Sequence, residues 1–113
     1  MALPHDESIQ IELLRLLADA PNGQMHCNDV YRTLAESFPQ LSPAECKDPY
    51  PPSLSHWANR VQWARHHLVE QGLILRPYAG GGRGYWAISA KGREALAVRH
   101  ATAAKLLAEL EAL

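Results

Sequence analysis

The residues best suited to chemistry lie between Ser53 and Arg83. His56, Asn59, Arg60, Trp63, His66 and His67 recur along one side of residues 53–72, and no acid stands among them. Read at 3.6 residues per turn, the other side carries Trp57, Val61, Ala64 and Leu68, an apolar stripe fit for burial. A helix with one apolar and one basic, hydrogen-bonding side has the shape of a recognition helix for double-stranded DNA. Asn59 can bridge N6 and N7 of adenine, and Arg60 can bridge O6 and N7 of guanine. The competing role for either is a bond to the preceding proline-rich connector. Ser53, Ser55 and His56 stand at the leading end, where backbone N–H groups suit a phosphate oxygen. Arg65, Arg76 and Arg83 fit phosphate contacts, which position a protein without reading sequence.

Trp57, Trp63 and Trp86 could wall a pocket for an unstacked or methylated base, since aromatic rings stack on any base face. Trp57 and Trp86 fall on apolar faces and suit the core, whereas Trp63 lies off the stripe. Tyr50, Tyr78 and Tyr85 are further aromatic candidates, and Tyr78 falls beside the basic hairpin. The pattern argues against catalysis. His66 and His67 adjoin and point apart, no acid sits at a spacing expected to orient either, and no carboxylate pair is evident. Cys27 and Cys46 form no CxxC and read as reduced thiols, so neither a metal nor a cofactor is expected.

The elements that must hold these residues follow from pattern. Ile9, Leu13, Leu16 and Leu17 predict a helix over residues 6–20, capped by Asp6 and stopped by Pro21-Asn22-Gly23. Residues 24–27 suit a short edge strand. Asn28 suits the cap of a second helix containing Val30, Tyr31, Leu34 and Phe38. Ser42-Pro43-Ala44-Glu45 is a compact helix start of about one turn. Pro49, Pro51 and Pro52 then stiffen the connector, and Ser53 or Ser55 caps the key helix. Gly72 ends it in a left-handed conformation. Residues 73–78 and 85–89 read as hairpin arms around the loop 79–84, with Arg83 at the tip. That loop lacks the lysine–serine pair of a phosphate-binding loop. Ser89 caps a last helix over residues 90–112, whose first turn Gly92 weakens. Leu96, His100, Ala103, Leu107 and Leu110 share one stripe of it, with Leu106 alongside.

The 113 residues make one domain, with residues 1–5 frayed and residues 90–113 free to dimerise or to lead onward. The fold class expected is mainly α with a small β-hairpin (α+β), a winged helix-turn-helix with a long C-terminal helix. The formal charge of −1 hides an asymmetry. Residues 1–53 hold eight acids against three bases, and residues 54–86 hold four arginines against Glu70. Positive charge therefore collects where a phosphate backbone would lie. No apolar run reaches membrane-spanning length and the start lacks a signal peptide's pattern, so a cytoplasmic location is expected.

Trp57-x-Asn59-Arg60-Val61-x-Trp63-Ala64-Arg65-x-x-Leu68, then Gly72-Leu73, then Arg83-Gly84-x-Trp86-x-Ile88-Ser89-x-x-Gly92-Arg93, resembles the N-terminal domain of Mrr-type restriction proteins. The resemblance spans about residues 9–97. It implies a winged helix that binds DNA ahead of a nuclease domain, in a family with relatives that act on DNA carrying methylated bases. The nuclease's carboxylates and lysine have no counterpart here, and the loop 79–84 is longer and richer in glycine than the family's. The expected function is target recognition without cleavage in this chain. Expected partners are duplex DNA and either a following nuclease domain or a second copy. A free-standing dimeric transcriptional regulator and a protein-binding adaptor are the alternatives.

Overall fold

A computed structural model describes residues 5–39, 56–76, 79, 82 and 84–112. The one-turn helix at Ser42, the proline connector, the Ser53 and Ser55 caps, Tyr78 and Arg83 lie outside the described residues, as do Tyr50 and Cys46. Helix α1 is Asp6–Asp19, strand β1 is Gln24–His26 and helix α2 is Cys27–Ala35. Helix α3 is His56–Glu70, strand β2 is Tyr85–Ala87 and helix α4 is Ala90–Glu111. This is the expected mainly helical α+β fold with a winged-helix layout.

Apolar spacing builds the core. Ile9, Leu13 and Leu17 of α1, Val30 and Leu34 of α2, and Trp57, Val61 and Leu68 of α3 are sealed from solvent. Ile74, Trp86, Ile88 and Leu96 close the cluster from the sheet and from α4. The Trp57 indole Nε1 donates to the Tyr31 carbonyl at 2.8 Å, which ties α3 to α2. That bond satisfies a polar atom that would otherwise be costly to bury.

Two caps differ from expectation. The N-cap of α1 is His5, which makes no side-chain capping bond, and Asp6 is already helical. Its carboxylate accepts instead from Gln10 Nε2 and pairs with His67 Nδ1. The N-cap of α2 is His26, whose Nδ1 accepts from the Asn28 backbone N–H at 3.2 Å. An imidazole nitrogen thus does the work expected of the Asn28 amide oxygen.

The end of α3 follows expectation. Gly72 sits at φ +78°, its N–H donating to the Val69 carbonyl and that of Leu73 to the Leu68 carbonyl. This is a Schellman ending. It also explains why the hairpin is incomplete. The N–H groups of Leu73 and Ile74 both point back to Leu68, leaving Leu75 to donate to Ala87. The first arm is therefore only a bridge, Ile74 to Ile88, and the main partner of β2 is β1, antiparallel, with Met25 opposite Trp86.

Ser89 caps α4 as expected. Its Oγ accepts from the Gly92 N–H at 3.0 Å and donates to the Gly72 carbonyl at 2.6 Å. Beyond Leu96 the helix leaves the body of the protein, and residues 97–112 are exposed throughout. Among the described residues no helix is long and apolar enough to cross a membrane.

Candidate nucleic-acid interface

Helix α3 buries Trp57, Ala58, Val61, Ala64 and Leu68. Part of its remaining surface opens onto a groove of about 520 Å³. Asn59, Gln62, Trp63, Arg65 and His66 supply one wall, Cys27 and Tyr31 of α2 the other, and Trp86 of β2 lies beside Arg65. Four of the expected site residues, Asn59, Trp63, Arg65 and His66, thus share one concavity. Trp63 is the most exposed of the three tryptophans at 54%, against 1% for Trp57 and 6% for Trp86.

Arg65 is the electrostatic centre of this groove. Its guanidinium carbon stands 5.2 Å from the centroid of the Trp86 ring, a cation–π contact that fixes the head group. Burial pulls its pKa below the usual arginine value, while Tyr31 and Cys27 act the other way. Its Nε is buried and has no acceptor among the described protein atoms. Arginine stays cationic under these conditions, so the groove carries a positive charge suited to an acceptor oxygen or ring nitrogen.

Tyr31 forms the opposite lip. Its hydroxyl accepts from Gln62 Nε2 at 2.8 Å, and its ring meets Trp86 edge-on with centroids 5.7 Å apart. Burial pushes its pKa up, and the Gln62 bond opposes that rise, so the side chain is a neutral phenol at physiological pH. The groove therefore offers flat aromatic surface, two amides, one imidazole and one cation.

The histidines correct the sequence reading. His66 Nε2 lies 2.8 Å from Glu70 Oε1, one helical turn on, and His67 Nδ1 lies 3.0 Å from Asp6 Oδ2 of α1. Acids do stand where they orient both rings. The first follows from i,i+4 geometry, and the second comes from a distant part of the chain. His67 consequently belongs to the α1–α3 contact rather than to the groove. Arg60 and His56 are half-buried on α3 outside the groove lining, and Arg76 is exposed beyond its end.

Cys27, Tyr31 and Gln62 are groove residues that the sequence did not single out for this role, and Trp86, weighed as a pocket wall but assigned to the core, is both buried and part of the lining. Gln62 had a signal, because residues 59, 62 and 66 recur at i, i+3 and i+7. Cys27 is a free thiol. Among the described residues no three of His, Cys, Asp and Glu gather as a metal site would require.

The Asp6–His67 pair yields a direct test. Asp6→Ala removes the partly exposed hydrogen bond to His67 and a first-turn acid from α1. A loss of about 1 kcal/mol is expected in urea unfolding, smaller at high salt.

No curated protein and no solved structure matches this chain. A family model does, that of the Mrr N-terminal domain, over residues 7–98. That span takes in α1 to the first turns of α4 and every residue of the groove. The chain belongs to the Mrr N-terminal domain family, which sets it in the context of a restriction system.

Proposed function

We propose that the chain is a double-stranded DNA-binding module that recognises the target of a restriction system, with α3 and its groove laid against the duplex. The observation that carries this reading is Arg65, a cation braced on Trp86, in a groove shared with Asn59, Trp63 and His66. Asn59 and Arg60 read base edges in the major groove, and a good bidentate contact discriminates by about 1–3 kcal/mol. His56 with Ser53 and Ser55, at the leading end of α3, meets phosphate. So do Arg76, Tyr78 and Arg83 on the wing. Trp63 offers a flat apolar face to a base methyl group, so that a modified base, methylated adenine included, is the preferred target. The reading assigns no cleavage to this chain and places its action in the cytoplasm.

The test is a titration of matched duplexes, unmodified, adenine-methylated and cytosine-methylated, at two salt concentrations. Affinity is expected to fall steeply with salt, the log–log slope changing by about 0.9 for each phosphate contact. Arg65→Ala is expected to weaken binding to all three duplexes by roughly tenfold to a hundredfold, the worth of a charge-assisted bond. Trp63→Ala is expected to level the difference between duplexes. Affinity independent of salt, or an Arg65→Ala variant that binds as the parent does, would overturn the proposal.

A further inference from the structure

Past Leu96, every described residue of α4 is exposed. Leu106, Leu107 and Leu110 are 56%, 60% and 65% exposed, and they continue the stripe that begins at the buried Leu96. Residues 97–112 extend for about 24 Å at 1.5 Å per residue. In proteins most helical stability comes from packing an apolar face.

At the root of the stripe lies an apolar groove of about 320 Å³ between α1 and α4. Its floor includes Ile11, Leu14, Leu68 and Leu73, with Leu96 and Arg99 at the α4 side. Each copy of the chain thus carries a run of exposed leucines and, one end of the helix away, a cleft suited to a leucine. The charges are ordered in the same sense. Lys91 and Arg93, with Glu94, lie in the opening turns of α4, whereas Glu109 and Glu111 lie near its end, whose last turn holds no base to offset the helix dipole.

We propose that two copies pair through antiparallel α4 helices about a two-fold axis, with Leu107 of each entering the α1–α4 groove of the other. With Leu107 of one copy opposite Leu96 of its partner, His100 faces Ala103 and Leu110 reaches the level of Arg93. Glu111 then lies between the levels of Lys91 and Arg93 of the partner helix, while Glu109 meets the level of Glu94. Parallel pairing would bring like charges together at both ends and leave both grooves empty. Because knob and cleft are on the same molecule and exchange reciprocally, the contact closes as a dimer instead of propagating. The stripe, with residues recurring at steps of three and four, is that of a short two-helix seam.

Sedimentation equilibrium of the 113-residue chain tests the association, and a dimer is expected. Leu107→Glu is expected to weaken it by roughly a hundredfold, because it places a charge in the partner's apolar groove. Circular dichroism of that variant is expected to show it folded, since Leu107 is 60% exposed in a single copy. Orientation is read in a Cys27→Ser, Cys46→Ser background by mixing His100→Cys chains with Ala103→Cys chains under oxidation. A mixed disulfide that outpaces either self-disulfide supports the antiparallel register. A monomer at every concentration, a dimer indifferent to Leu107→Glu, or preferential self-linking of His100→Cys would each overturn the proposal.

Discussion

Trp57→Ala is expected to cost about 4 kcal/mol of stability, within the range for deleting a large buried aromatic side chain. The indole is 1% exposed and meets Phe38 with ring centroids 5.7 Å apart. Its removal leaves a cavity at the α2–α3 junction and strips the Tyr31 carbonyl of its donor. For a domain of this size such a loss consumes much of a total of about 5–15 kcal/mol. Trp57→Phe separates the two contributions. It keeps most of the packing and removes the N–H, so a smaller loss of about 1–3 kcal/mol is expected. Urea unfolding followed by circular dichroism measures both. A Trp57→Ala loss below about 1 kcal/mol would show that α3 is not anchored through this ring. The functional corollary is that the groove fails with the junction, because Tyr31 is both the acceptor of the Trp57 bond and the lip opposite Arg65.

Gly92→Ala is the second large effect, and its sign runs against helix propensity. In an exposed helix interior this change would stabilise by about 1 kcal/mol. Here a Cβ would stand 2.7 Å from Ile88 Cγ1 and closer still to the Leu73 carbonyl oxygen. That carbonyl cannot easily retreat, because it accepts the Ser89 N–H at 3.1 Å where α4 leaves the sheet. A loss of about 3 kcal/mol is expected, the upper part of the range for overpacking. In a thermal scan that corresponds to a fall of roughly 10–15 °C. A variant as stable as the parent would mean that the backbone approach between Leu73 and Gly92 is looser than described. The glycine that weakens a helical turn on paper is thus what lets α4 lie against the end of α3.

The helices were legible in the sequence because their apolar positions repeat at three and four residues. Ile9, Leu13 and Leu17 announce α1, and Trp57, Val61, Ala64 and Leu68 announce α3, whose buried face matches that stripe. Gly72 and Ser89 were legible for a related reason, since each acts through its own backbone neighbourhood. Where a side chain had a choice of partners, the reading slipped. Asp6 bonds to α3 rather than capping α1, and His26 takes the capping role given to Asn28. The hairpin was half legible. Composition marked both arms, but only hydrogen bonding could show that Leu68 holds the first arm's N–H groups and that β1 is the partner of β2. Within the groove, Asn59, Trp63, Arg65 and His66 could be found from one helix. Tyr31 and Cys27 come from another element across a tertiary contact, which no local spacing encodes. Arg65 suggested a simple phosphate contact, and its seat on Trp86 depended on a strand residue distant in sequence.

The three indoles sit in unlike surroundings: one sealed in the core, one buried beneath a guanidinium, and one on the open face between His66 and His67. The protein therefore carries its own optical reporter. Aqueous quenchers can reach Trp63 while Trp57 and most of Trp86 are screened, so a change in the quenchable share of emission reports on the α3 surface alone. A ligand settling there is visible without any attached dye, and in a Trp63→Phe variant the same titration would be silent in that channel.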